Sequence, residues 1–296
     1  MKWEGNRESD NVEDARGSGS GGGGGGFGLG GRSIGIGTIV LALIGSAVFG
    51  VNPLTMLDML SGGGGGAVPV QQTQTESQAP PANDKQTRFV RTVLADTEDV
   101  WTQVFAEKGA QYKKPKLRIF DNATDTGCGV GRTASGPFYC PADQKVYIDL
   151  SFYRLMQERF GVSGEFAQAY VIAHEIGHHV QNQLGISDKV QAPRENGSER
   201  QANEMSVRLE LQADCFAGLW ANKSNQSHAI LEQGDVESAL KAANAIGDDA
   251  LQRQAQGHVV PDSFTHGTSE QRVRWFSKGL DKGDVEQCNT FNARQL

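Results

Sequence analysis

The chain has 296 residues, 38% of them hydrophobic and 21% charged, with a formal net charge of −7. That acidic balance excludes a nucleic-acid binder, which needs a clustered Lys/Arg surface; the one basic cluster, 113–118, is short and runs straight into apolar residues. Of the 38 glycines, 21 fall in the first 66 residues, so the average conceals an ordinary globular composition from about residue 84 onward, long enough to bury a full core.

Residues 1–32 are polar and then almost pure glycine. Such a segment buries too little apolar surface to offset its ordering entropy, and a disordered tail is expected. The glycine run lacks the preceding strand and the Lys-Ser/Thr ending of a phosphate-binding loop. Residues 33–57 carry no charge and supply the roughly 20 apolar residues that cross a bilayer as a helix. Glycine-rich flanks argue against a buried core helix, and the long polar leader without an Ala-x-Ala site argues for a retained anchor over a cleaved signal. Arg16 and Arg32 precede the span, whereas the first basic residue after it is Lys85. The positive-inside bias then puts the amino terminus in the cytoplasm and the main domain outside. Residues 58–84, rich in Gly, Pro, Gln and Thr, read as a flexible tether to a domain over 85–296.

That domain contains all four cysteines. An even count in an oxidising compartment predicts two disulfides, Cys128–Cys140 by proximity and Cys215–Cys288 by elimination. Apolar spacing predicts a helix over 87–108, a strand over 116–120, and two strands, 136–140 and 145–152, joined by a turn. Helices follow over 166–185, 199–222 and 236–246, with a loop from 262 running into a last helix. The expected class is α+β: a small sheet followed by helices. The strand beginning at Lys145 is a candidate exposed edge on which an extended peptide adds.

The sharpest signal is His174-Glu175-Ile176-Gly177-His178. Four residues is slightly more than one helical turn, so both imidazoles share a face and can grip one metal ion. Glu175 stands about a quarter turn round, beside the ion, placed to take a proton from water. A catalytic zinc needs a third protein ligand and one open position. Gln181 and Leu184 exclude the extended three-histidine pattern. Glu210 and Asp214, four apart in an otherwise apolar helical stretch, supply the alternative: Glu210 as ligand, Asp214 as acceptor for the outer nitrogen of a ligating histidine. A salt bridge from Glu210 or Asp214 to Arg208 is the plainer reading. His266, at the entry to the last helix, is the leading donor for the oxyanion of the tetrahedral intermediate, with Arg272 and Tyr170 in reserve; helix capping or plain packing is the alternative for all three. His179 points away from the pair, and His228 and His258 lie in polar stretches without a role.

These residues resemble gluzincin-type zinc metallopeptidases, with HEIGH supplying two histidines and the base and ELQAD the carboxylate. More narrowly, GPFYCP, AHEIGHHVQ, ELQADCFAG and HGTSEQRVRWF resemble the bacterial YpfJ-like neutral zinc metallopeptidases over nearly the whole chain. The resemblance implies a zincin-like domain, one zinc per chain held by His174, His178 and Glu210, and Glu175 as catalytic acid/base. The resulting expectation is a peptidase acting on protein or peptide substrates, anchored by one helix in the bacterial inner membrane with its domain in the periplasm. The competing expectations are a tethered zinc-containing binding or chaperone-like protein, and a zinc amidase acting on a non-protein substrate.

Overall fold

The computed structural model describes residues 1–17, 84–133, 136–190 and 197–296. The expected membrane helix over 33–57 and most of the tether lie outside these residues. Among the described residues no helix is long and apolar enough to cross a membrane.

In chain order the elements are β1 (Val12–Asp14), α1 (Lys85–Glu107), β2 (Lys116–Ile119), β3 (Ala123–Thr126), β4 (Gly129–Arg132), β5 (Phe138–Cys140) and β6 (Lys145–Ile148). The helical part is α2 (Ser151–Phe160), α3 (Glu165–Gln183), α4 (Glu199–His228), α5 (Asp235–Ala245), α6 (Asp248–Gln256) and α7 (Ser269–Lys282). A mixed helix and small-sheet fold results. The four-stranded sheet runs β1-β2-β6-β5, with β1, β2 and β6 parallel and β5 antiparallel to β6; β3 and β4 form a separate hairpin. Both sides of β6 are therefore paired, and the expectation that the strand at Lys145 is an exposed edge is wrong. The edge on that side is β5. The strand also ends at Ile148, and Ser151 already begins α2.

The amino terminus departs furthest from expectation. Residues 1–17, expected as the start of a disordered tail, pack on the domain. Val12 to Asp14 pair with Leu117 to Ile119 in register. Trp3 is buried edge-on against Phe89, ring centroids 5.4 Å apart. The buried carboxylate of Glu98 in α1 accepts from Ser9 Oγ and Asn11 Nδ2, both at 2.7 Å, and from Arg7. Arg16 bridges Asp14 and Asp84 at 2.7 and 2.8 Å, and Asp84 caps α1 by accepting from the amides of Gln86 and Thr87. A buried carboxylate needs such partners, and they come from a segment whose composition alone predicts disorder. Because Arg16 touches Asp84, the two chain ends bordering residues 18–83 sit side by side.

Both expected disulfides form: Cys128–Cys140 ties the β3–β4 hairpin to β5, and Cys215–Cys288 ties α4 to a short 3-10 turn, Val285–Cys288. Helices α4 and α7 pack with their backbones almost touching. A Cβ on Gly218 would lie 2.0 Å from the Phe276 carbonyl oxygen, and one on Gly279 would lie 1.9 Å from that of Cys215. Only glycine permits this approach, which carries Arg272 of α7 to Asp214 of α4.

Candidate metal centre

Helix α3 is buried on most of its faces, as a core helix is, and it carries His174, Glu175 and His178. Helix α4 opens with a capping box, in which the Ser198 hydroxyl and the Gln201 side chain satisfy each other's backbone amides, and carries Glu210 and Asp214. The second variable position of HEIGH explains how the two helices meet. A Cβ on Gly177 would come within 3.1 Å of Ala213 Cα and of its carbonyl oxygen. The missing side chain lets α4 lie directly on the histidine face.

Nitrogen or oxygen atoms of His174, His178 and Glu210 lie within 4.8 Å of one another. His174 Nε2 is 3.2 Å from Glu210 Oε2, and His178 Nε2 is 3.5 Å from Glu210 Oε1. A tetrahedral zinc with bonds of about 2.0–2.1 Å holds neighbouring ligand atoms about 3.3 Å apart. The spacing fits. The electrostatics fit as well. Burial works against charged imidazoles, yet Asp214 and Glu210 outweigh it and push His174 up to about 10. His178 is likewise raised, by Glu210 against burial. Against the opposing effect of burial, the histidines and His266 hold Glu210 well below the ordinary carboxylate range. Two protons or one divalent cation meet the same demand for positive charge.

Glu175 is buried beside the pair. Burial raises its pKa, partly countered by His174 and His178. A poised carboxyl of this kind suits proton transfer near neutral pH. Tyr153 of α2 shares its electrostatic environment; this buried hydroxyl has no hydrogen-bond partner among the described residues.

The two histidines are held from behind by different groups. His174 Nδ1 donates to Asp214 Oδ1 at 2.8 Å, as the sequence reading expects. Asp214 in turn accepts from Arg272 Nε and Nη2, each at 2.9 Å, and from the Tyr170 hydroxyl at 2.6 Å. Arg272 and Tyr170, the reserve oxyanion donors, are thus committed behind His174. Arg208 is not a partner of Glu210 or Asp214 here; its guanidinium donates to the carbonyls of Thr290 and Ala293. His178 Nδ1 donates to Gln181 Oε1 at 2.9 Å, an arrangement the sequence reading misses. His179, correctly placed away from the pair, bolts α3 to its surroundings: it bonds the Tyr139 hydroxyl of β5 at 3.1 Å and the Lys113 carbonyl at 2.7 Å.

His266 is buried within the field of Glu210, on the loop entering α7. Its partner, Asp248 at the start of α6, is also absent from the sequence reading. Asp248 Oδ2 accepts the amides of Thr265, His266 and Gly267 at 2.7, 2.6 and 3.1 Å, while Oδ1 meets His266 Nδ1 at 3.1 Å. Burial would lower the His266 pKa, but Asp248 and Glu210 raise it.

Two imidazoles and a carboxylate converging between facing helices, with an uncommitted carboxyl alongside, describe a candidate metallohydrolase of the HEXXH class. The chain belongs to the family described as "Putative neutral zinc metallopeptidase", which it matches over residues 1–291. It is 50% identical to the uncharacterised protein YpfJ of Escherichia coli K12 over 291 residues, 98% of this chain and 99% of that protein. It is 40% identical to an uncharacterised protein of Mycobacterium tuberculosis H37Rv over 219 residues, 71% of this chain and 73% of that protein. No solved structure matches the chain.

Proposed function

We propose that the protein is a zinc-dependent peptidase with a zincin-like catalytic domain. The observation that carries this reading is the convergence of His174, His178 and Glu210 ligand atoms within 4.8 Å, beside the buried carboxyl of Glu175. In this reading the three residues hold one zinc and leave a position open to solvent and substrate. When bound, zinc supplies a Lewis acid that acidifies water and polarises the scissile carbonyl. Glu175 accepts the proton of the attacking water at its carboxylate and returns it to the leaving amine. His266, charged because Asp248 favours its protonated form, donates from Nε2 to the carbonyl oxygen as negative charge develops there. Arg272 and Tyr170 neutralise and fix Asp214, which keeps His174 Nδ1 protonated and its Nε2 lone pair toward the metal.

Membrane attachment through residues 33–57 and a periplasmic domain remain part of the proposal, and two disulfides support the oxidising compartment. One change is required. In this reading residues 1–17, which pack on the domain, lie on the same side of the bilayer as the metal centre. A peptide tag before Met1 and one after Leu296 should then share their accessibility to external protease in intact spheroplasts; opposite accessibility returns the single crossing.

The test of the reaction is Glu175→Gln. The variant should bind one zinc as the unaltered protein does and lose about 100-fold or more in peptide turnover. Unchanged turnover with zinc in place removes Glu175 from the reaction, whereas absence of peptide turnover in the unaltered zinc-loaded protein favours a zinc-containing binding protein.

A further inference from the structure

The relay behind His178 has no free direction. Gln212 Nε2 donates to the main-chain carbonyl of Cys288 at 2.9 Å, which leaves Gln212 Oε1 facing Gln181. Gln181 Nε2 donates to that oxygen at 3.1 Å and to the Leu209 carbonyl at 2.7 Å. Carbonyl oxygens accept and never donate, so Leu209 and Cys288 fix both amides the same way round. Gln181 Oε1 must then be the atom that meets His178 Nδ1. An amide oxygen is only an acceptor; the proton on His178 therefore resides on Nδ1 and the lone pair on Nε2, toward Glu210. Gln181 is fully buried and Gln212 nearly so. Burial makes any mispaired arrangement costly.

We propose that Gln181 and Gln212 are positioning residues for His178, fixing its tautomer and ring orientation for metal binding, and that the Cys215–Cys288 disulfide anchors the far end of this relay. The anchor has a physical basis. Cys288 lies on a four-residue turn, too short to hold its carbonyl in place by itself, and the disulfide pins that turn to α4. Cys215 also directly follows Asp214. One cross-link thus stands behind the partners of both histidines.

The inference rests on the zinc reading above, and the experiment separates the two. Zinc affinity is measured by chelator competition on the full chain, together with the imidazole N–H proton resonances of the zinc-loaded protein. The unaltered protein should bind one zinc; if it binds none, the zinc reading itself fails. Gln181→Leu should weaken zinc about 10- to 100-fold, and the His178 Nδ1–H resonance should shift or exchange away while that of His174 stays. Gln212→Leu, with the Leu209 carbonyl still holding Gln181, should cost about threefold. Cys215→Ala with Cys288→Ala should weaken zinc by a similar factor, whereas Cys128→Ala with Cys140→Ala leaves zinc affinity unchanged. Wild-type affinity and an unmoved His178 resonance in Gln181→Leu overturn the relay. Equal zinc affinity in the two disulfide-free variants overturns the anchor. If Gln181→Leu fails to fold, the Gln212→Leu affinity decides.

Discussion

His174 and His178 project from the same face of α3, one turn apart, yet are supported by unlike chemistry. Behind His174 stands a buried carboxylate neutralised by a guanidinium and hydrogen-bonded by a phenol. Behind His178 stand two neutral amides ending on main-chain carbonyls. The charged set ties three helices, α3, α4 and α7, into one unit, because Asp214 can be buried only if Arg272 arrives with it. The neutral set works by direction: each amide is oriented by the next. The first arrangement should dominate stability, and the second should tune the ligand without carrying the fold.

The largest expected effect falls on the charged side. Asp214→Ala leaves Arg272 buried without its partner and should cost about 3–5 kcal/mol in chemical denaturation, with loss of the zinc site. A cost within the range of an exposed substitution would show that the two supports are alike after all.

Gly177→Ala probes the seam they share. The added methyl must push Ala213 back by a few tenths of an ångström, and overpacking of this kind costs about 1–3 kcal/mol. Zinc affinity should fall as Glu210 recedes. Retained affinity at reduced stability would place the ligands' geometry under other control.

Asp248→Asn sharpens the comparison by extending it to His266. In the neutral imidazole Nδ1 keeps the proton for Asp248 and Nε2 has none to give, so donation requires the charged form. Asp248 raises the His266 pKa; its removal lowers that pKa. The alkaline limb of the peptidase pH profile should therefore move to lower pH, and an unmoved limb removes His266 from the reaction.

The smallest effect concerns the amino terminus. Hydrogen bonding to Arg16 depresses Asp14 first of all, and at Asp84 the Thr87 amide and Arg16 overcome a burial that would raise it. Both groups have folded pKa values below their unfolded ones. Their contribution is therefore complete above about pH 4 and fades as pH falls through the folded values. Limited proteolysis should release residues 1–17 at low pH while α3 and α4 stay protected.

How much of this was legible beforehand follows from the range of each interaction. HEIGH declares itself because helix geometry alone puts its residues on one face. Glu210 and Asp214 are visible as charges in an apolar helix. Strand β1 is not, because three residues carry no periodicity and its partner lies about a hundred residues away in sequence. Glu98 belongs to an amphipathic helix and reads as a surface residue until Ser9 and Asn11 arrive. Gln181 and Gln212 are ordinary helix formers whose roles are fixed by carbonyls of Leu209 and Cys288. Asp248 reads as a favourable first-turn acid, and nothing local says that it holds a loop 17 residues further on. The short helices α2 and α6, of ten and nine residues, are too brief to declare a periodicity of their own.

X-ray absorption at the zinc edge of the purified full-length protein tests the central claim most directly. The account predicts one zinc per chain, with two imidazole nitrogens and light oxygen neighbours at about 2.0–2.1 Å, one of them exchangeable. Absence of stoichiometric zinc, or a shell closed by four protein ligands, would contradict it.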